Sequence, residues 1–407
     1  MRRAACCLIF ALVCIPTLFA EQVLPEARKA AETIRQLRAI GIPSTQAEKP
    51  MPPGQVPALL RQLNTELQGL IVSILNDQTR QSVPDEKEIF DQLRAAGWDD
   101  ISSNKWNAYG EINQIKFDWQ LGYSPDLLVV STQLWLPCGS RDPDTALYVF
   151  AGRARQWKLI LATDSDFEPS LSEQNEGMQY RISPADENGK WFLVIAHQPP
   201  TSCGPQEGVL RYKALRPTRN PNQPEVIVAQ REILGGASEM SYRLDVQSDW
   251  FAITERKPRK LDAVPGVVIL RYQVNGNQAQ RIHPLAVMTE NFLDQWVQLP
   301  WDEAKRWTKP HASLEGLHSK LNKLLPDSAE IQSVHRCSGD GGDGSIWVIK
   351  LWIDRHGNQM DRDETSYIEI SLDNGIFCVD AAYGSPPKSC PGEFLPYQPY
   401  DEPLRYW

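Results

Sequence analysis

Hydrophobic residues recur with helical spacing through the first hundred residues. In QVPALLRQLNTELQGLIVSILND the apolar positions are three and four residues apart, which is typical of one face of an α-helix. These positions are Leu59, Leu60, Leu63, Leu67, Leu70, Ile71 and Ile74. A second helix is predicted in EARKAAETIRQLRAI, and a third in DEKEIFDQLRAAGW, with Pro84 before it and Gly97 after it. We expect the long apolar face to pack within the protein; a dimerising coiled coil is the alternative.

The hydrophobic period changes from helical spacing to two after Ile112. In QIKFDWQLG the apolar residues Ile115, Phe117 and Trp119 alternate with polar ones, as in a half-buried β-strand. Similar segments follow at regular intervals, separated by turn residues such as Asn188-Gly189 and Asn275-Gly276. Asn-Gly supplies the positive φ that tight hairpins need, so the strands are expected to pair antiparallel.

Two stretches of this region resemble each other, MQYRISPADENGKWFLVIAH from Met178 and MSYRLDVQSDWFAITER from Met240. The alignment pairs Tyr180 with Tyr242, Trp191 with Trp250, Phe192 with Phe251 and, further along, Tyr212 with Tyr272. An earlier copy places Phe117 opposite Tyr180 and Tyr148 opposite Tyr212. Each copy has four strand segments, so the sequence predicts three copies of a four-stranded meander.

A fourth set of strands comes late, in AEIQSV, SIWVIKLWI, SYIEISL and GIFCVDA, where the pattern repeats but the residues do not. Before these strands, apolar residues at helical spacing predict a helical insertion. The fold class is therefore mainly β with N-terminal α-helices, its four-stranded antiparallel meanders arranged as in a propeller. The alternative is a β-sandwich plus a separate C-terminal α+β unit.

The predicted organisation has six parts. They are a signal peptide (1–20), an N-terminal helical region (21–104), three four-stranded β repeats (105–289), a helical insertion (290–326), a fourth β repeat (327–384) and a Pro- and aromatic-rich tail (385–407). The tail is expected to lie across its own domain rather than to bind a partner in polyproline form.

Export is predicted from the N-terminus, where Arg2 and Arg3 precede an apolar run and Ala20 precedes the first acidic residue. The protein is accordingly expected to be secreted or periplasmic. Five cysteines follow the signal, so two disulfides and one free thiol are expected in an oxidising compartment. We pair Cys138 with Cys203, which lie in equivalent loops of successive repeats. We pair Cys337 with Cys390 because both lie in Gly/Pro-rich loops, whereas Cys378 lies in a strand.

Several kinds of chemistry have no support in the sequence. The net charge of −9 and the absence of a basic run disfavour nucleic acid. GDGGDG, from Gly339, is followed by a strand rather than a helix, which excludes a dinucleotide fingerprint. The acidic loop from Asp354 departs from the calcium-loop pattern, and none of the six histidines forms a zinc motif. His318, on an apolar helix face, is expected to be a core residue. No cofactor or metal site is predicted.

We hypothesise that the protein is an exported binding or scaffold protein. It has no recognisable catalytic machinery, so the sequence favours a non-enzyme over an enzyme. Its partner, a protein or a glycan, would bind at the rim loops of the β repeats. The thirteen tryptophans suggest sugar stacking, although most lie on predicted strands, where large aromatic residues usually fill the core. The alternative is a secreted hydrolase, acting on glycans with carboxylates from those loops.

Overall fold

The structure is a computed structural model of the 407-residue chain. It describes residues 23–40, 54–77, 84–99, 109–120, 122–134, 144–153, 156–163, 178–197, 208–234, 242–257, 260–261, 266–282, 286, 288–311, 313–324, 328–337, 345–353, 364–373, 376–392 and 394. The predicted signal peptide, the Cys138 and Cys203 loops, the GDGGDG loop and the acidic loop from Asp354 lie outside these residues.

Three helices open the described chain, as predicted. They are α1 (Pro25–Ala39), α2 (Val56–Asn76) and α3 (Glu86–Ala95). Asp85 caps α3, because its side chain accepts a hydrogen bond from the Glu88 amide at 3.2 Å. The apolar face of α2 is buried against α1 and the first sheet, so the predicted internal packing is confirmed.

Sixteen strands form four antiparallel sheets of four consecutive strands each among the described residues. Sheet 1 contains β1 (Ile112–Gln120), β2 (Asp126–Leu134), β3 (Asp144–Gly152) and β4 (Lys158–Thr163). Sheet 2 contains β5 (Met178–Ile182), β6 (Leu193–His197), β7 (Gly208–Arg216) and β8 (Glu225–Leu234). Sheet 3 contains β9 (Tyr242–Val246), β10 (Trp250–Lys257), β11 (Gly266–Asn275) and β12 (Gln278–Ile282). Sheet 4 contains β13 (Ala329–Arg336), β14 (Ser345–Ile353), β15 (Glu364–Asp373) and β16 (Ile376–Tyr383).

The mainly β fold of repeated meanders is thus confirmed, and each of the first three sheets carries a tyrosine on its third strand, although Tyr148 faces the helices whereas Tyr212 and Tyr272 face each other. Tyr148, Tyr212 and Tyr272 are each buried on the third strand of their sheet. The positive φ angles of Gly189 and Gly276, 73° and 58°, confirm the two Asn-Gly turns.

The predicted residue alignment of the second strands is wrong in register. Phe251 lies opposite Tyr272, whereas Ala196, not Phe192, lies opposite Tyr212. Phe192 lies just before β6, whereas Phe251 is the second residue of β10. Phe192 and Phe251 meet across the two sheets instead, with ring centroids 6.3 Å apart.

Sheets 1, 2 and 3 stack side by side in a propeller-like arrangement. The N-terminal helices cover one face of sheet 1, and its other face shares a core with sheet 2. The opposite face of sheet 2 shares a second core with sheet 3. The first strands β5 and β9 are in contact, as are the outer strands β8 and β12. Sheet 2 is therefore buried on both faces, and the stack has no free face at its centre.

Tyrosine hydroxyls join the sheets as well as filling the space between them. The Tyr180 hydroxyl on β5 donates to Asp118 Oδ2 on β1 at 3.0 Å. One repeat later, the Tyr242 hydroxyl on β9 donates to the Ala196 carbonyl on β6 at 2.6 Å. Both tyrosines therefore reach back to the preceding sheet, and buried hydrogen bonds of this kind fix one sheet orientation.

Helices separate the third sheet from the fourth, as predicted. They are α4 (Thr289–Gln298), α5 (Trp301–Ala304), a 3₁₀ turn (Lys305–Trp307) and α6 (Leu314–Asn322). Their apolar faces pack on one face of sheet 4. The C-terminal part thus has the α+β character of the alternative interpretation, while the first three sheets follow the propeller-like one. Of the described helices, none is long and apolar enough to span a bilayer.

Candidate polar site on the outer face of the fourth sheet

Sheet 4 differs from the central sheet because the insertion helices cover only one of its faces. Strand alternation sends Ile368 and Ile370 into that core and Glu369 and Ser371 to the opposite, outer face. The outer face of β15 and β16 carries a group of polar side chains that contact one another. We call Lys309, Glu369, Ser371, Asp380 and Tyr383 the polar cluster.

A β-bulge places Asp380 in this cluster. Val379 pairs with Ile370 and Ala381 pairs with Glu369, so Asp380 is an extra residue on β16. Bulges redirect one side chain out of the regular alternation. The Asp380 carboxylate pairs with the Lys309 ammonium and accepts a hydrogen bond from the Ser371 hydroxyl at 2.8 Å. Its side chain is 9% exposed, so only a small part of the carboxylate reaches solvent.

Lys309 reaches the site because the end of the insertion adds to the edge of sheet 4. Thr308 forms a parallel bridge with Val379, and the Lys309 amide donates to the Val379 carbonyl at 2.8 Å. The short added segment covers part of the β16 edge and holds the Lys309 side chain over the bulge. The Lys309 backbone is thus bonded to β16 at Val379, and the Lys309 side chain is paired with Asp380 on the same strand.

Glu369 is the second carboxylate of the cluster, on the strand beside Asp380. Its Oε2 atom accepts from the Tyr383 hydroxyl at 3.3 Å and from the Ser389 hydroxyl at 3.3 Å. Both distances exceed the usual range for a hydroxyl donor, so these contacts are weaker than the Ser371–Asp380 bond. Two carboxylates therefore accept hydrogen bonds side by side on one sheet face.

The pKa shifts of Lys309, Tyr383 and the neighbouring Cys378 keep each proton on its donor. Burial lowers the pKa of Lys309, but its hydrogen bond to Asp380 and the nearby negative charges raise it overall. Burial, followed by the charge of Asp380, raises the pKa of the free thiol of Cys378. Burial and then Glu369 raise the pKa of Tyr383. A general base or a nucleophile needs the opposite shift, so these three groups are suited to donating hydrogen bonds.

The C-terminal segment crosses the other half of the outer face, above β13 and β14. Cys390 is joined to Cys337 by a disulfide, and both are buried with Val348 in a small apolar cluster. The Phe394 ring packs against His335 and Tyr367, with centroid distances of 5.1 and 5.4 Å. The described part of the tail therefore lies across its own domain, as predicted.

The predicted site residues have different outcomes. The pairing of Cys337 with Cys390 is confirmed, and Cys378 is free. Cys138 and Cys203 lie outside the described residues, so their pairing stays a prediction. His318 is a core residue as predicted, buried and hydrogen-bonded through Nε2 to the Trp296 carbonyl at 3.1 Å. In the part of the chain that the structure describes, no group of three His, Cys, Asp or Glu is arranged around a metal position.

Sequence reasoning missed the polar cluster. Its members come from the insertion and from two strands of sheet 4, and they share no motif. In GIFCVDAAY, Phe377 and Val379 face the core, so simple alternation already places Asp380 on the outer face, and no signal in this stretch marks the bulge.

Comparisons with known proteins give little more than a coarse picture. No family model matches the sequence, and no curated protein matches it. Among solved structures, the chain is similar to the GH93 α-L-arabinofuranosidase of Fusarium graminearum in complex with arabinobiose, at 10% identity and a TM-score of 0.27, with 66% of each chain covered. It is also similar to an endo-1,4-β-xylanase from Bacteroides thetaiotaomicron, at 7% identity and a TM-score of 0.17, covering 67% of this chain and 89% of that one. TM-scores this low do not establish a shared fold.

Proposed function

We propose that this chain is an exported binding protein without catalytic activity of its own, and that it holds a neutral glycan on the outer face of sheet 4. One observation carries the proposal: Asp380 and Glu369 accept hydrogen bonds side by side, each fixed by neighbouring donors. Fixed acceptors of this kind suit a ligand that brings several hydroxyl donors.

The charge of the protein favours a neutral ligand over an anionic one. The chain carries a net charge of −9, and the two carboxylates add negative potential at the site. Sugar hydroxyls can donate to the free lone pairs of both carboxylates, since an ionised carboxylate has about four acceptor positions. The ring of Tyr383 borders the same face and offers an apolar surface for stacking.

Export is the second part of the proposal. It is supported by the basic and apolar N-terminus. The disulfide between Cys337 and Cys390 also supports it, because such bonds persist in oxidising compartments. N-terminal sequencing of the protein from the culture medium or periplasm tests this part, and a mature chain that still begins at Met1 in the cytosol contradicts it.

The binding proposal is tested with Asp380→Asn. Isothermal titration against cellohexaose, xylohexaose, maltohexaose and chitohexaose should detect a ligand for the wild type. Asp380→Asn should weaken it by about 10- to 150-fold, because a hydrogen bond to a charged group contributes about 1.5–3 kcal/mol. Asp245→Asn is the matched control, since it also breaks an Asp–cation pair, with Arg243, but on sheet 3. Equal losses in both variants, or no binding by the wild type, would refute the proposal.

A secreted glycan hydrolase is the second candidate, favoured by one observation. Glu369 and Asp380 lie on adjacent strands of one face, and paired carboxylates are the usual machinery of glycoside hydrolysis. Against it, both carboxylates accept hydrogen bonds in the structure, whereas one would have to donate a proton. Release of reducing ends from any of the four oligosaccharides by the wild type, and its loss in Glu369→Gln, would favour the hydrolase.

A further inference from the structure

The C-terminal segment touches the polar cluster at one point. We call residues 384–392 together with Phe394 the strap. Its apolar part lies over β13 and β14, and its serine Ser389 reaches Glu369 at the border of the cluster. The strap and the proposed ligand therefore share one acceptor.

The strap is held firmly on both sides of Ser389. Pro387 and Cys390 are buried, and Cys390 is bonded to Cys337 on the sheet. Further along, Gly392 has a φ of +147°, and a Cβ atom there would lie 3.0 Å from the His335 ring. Only glycine fits this approach without displacing the ring. The position of Ser389 is thus set by the anchors rather than by its own contact.

Ser389 itself is exposed and its hydrogen bond is long. Its hydroxyl lies 3.3 Å from Glu369 Oε2, the same oxygen that accepts from Tyr383. Hydroxyl donors usually approach to 2.5–3.0 Å. A better-placed hydroxyl can replace this contact at little cost.

We propose that Ser389 occupies the position of a ligand hydroxyl on Glu369, so that the strap is an autoinhibitory cover of the glycan site. This inference rests on the proposed function of the outer face. The strap donates the same kind of hydrogen bond that a sugar would donate, from a segment tethered beside the site. Ligand binding then has to displace one weak intramolecular bond.

The test is the effect of Ser389→Ala on binding of the same four hexasaccharides to the full mature chain. The bound glycan should bind about two- to tenfold more tightly, because the competing hydrogen bond is lost and its net contribution is modest. Ser385→Ala, an exposed serine of the same strap, is the matched control and should leave the dissociation constant unchanged.

Each outcome has a separate meaning. Weaker binding by Ser389→Ala would overturn the inference, because Ser389 would then be part of the binding surface. Unchanged binding would also overturn it, while leaving the proposed function intact. Absence of binding by the wild type and by both variants would refute the proposed function itself.

A second variant releases the strap more completely. Cys337→Ser with Cys390→Ser removes the tether and should tighten binding at least as much as Ser389→Ala, provided that circular dichroism shows a folded chain. If this double variant does not fold, Ser389→Ala alone decides the inference, since an exposed serine is replaced without loss of packing.

Discussion

A buried tyrosine hydroxyl joins sheets 2 and 3 across their shared core, and its removal tests how much this contact contributes to the architecture. Tyr242 is 7% exposed. Its hydroxyl donates to the Ala196 carbonyl at 2.6 Å and accepts from the Gln179 amide at 3.0 Å. Tyr242→Phe keeps the ring and its packing but leaves both backbone groups of sheet 2 without this partner. The variant therefore removes one polar connection between the two sheets and leaves the packing in place.

The expected loss follows from the number of groups affected. A buried polar group that loses its partner costs about 1–3 kcal/mol. The Ala196 residue is buried whereas Gln179 is exposed, so one such group predicts a decrease of about 1–3 kcal/mol in the free energy of unfolding. The second link between the same residues, from Gln179 Nε2 to the Tyr242 carbonyl at 2.9 Å, is unaffected and still joins β5 to β9.

Urea denaturation monitored by tryptophan fluorescence measures this loss. Tyr367→Phe is the control, because it removes the same atom from the outer face of sheet 4, away from the contact between sheets 2 and 3, and should change the free energy by less than about 0.5 kcal/mol. If Tyr242→Phe is as stable as Tyr367→Phe at an unchanged denaturant slope, the hydroxyl does not hold the sheets together and the reasoning fails.

Two further predictions concern pH and the disulfide. Burial, and then the charges of Arg211 and Lys213, lower the pKa of His197 to about 4; since the unfolded chain binds this proton near pH 6.5, stability should fall by up to about 3 kcal/mol from pH 7 to pH 4. His197→Asn should flatten that slope in urea titrations, and parallel slopes would contradict it. Cys337→Ala with Cys390→Ala opens a loop with a sequence separation of 53 and should cost roughly 4 kcal/mol by calorimetry; an unchanged transition would show that packing alone holds the strap.

Local patterning explains which parts of the fold could be predicted. The α2 stripe and the period-two strands report burial directly, because a side chain's distance from water depends on its place along one element. The same applies to the disulfide of Cys337 and Cys390, where a strand position for Cys378 left the two loop residues as partners. Each of these inferences depends on the sequence of a single element or of one pair of loops.

Register and tertiary contacts needed more than the pattern. Phe192 and Phe251 align in the sequence, but the observed pairing in sheet 2 is shifted by four residues relative to Tyr212. The one-residue bulge at Asp380 and the approach of Lys309 from the insertion likewise cannot be predicted from a short stretch of sequence. Both depend on how separate elements meet.

Packing explains which sheet can carry the candidate site. Sheet 2 is packed on both faces and keeps apolar residues on both. Such a sheet has no face for a polar ligand. The insertion helices cover one face of sheet 4 only, so the β15 and β16 part of its outer face can carry Asp380 and Glu369. A ligand contact mapped to either face of sheet 2 would contradict this account.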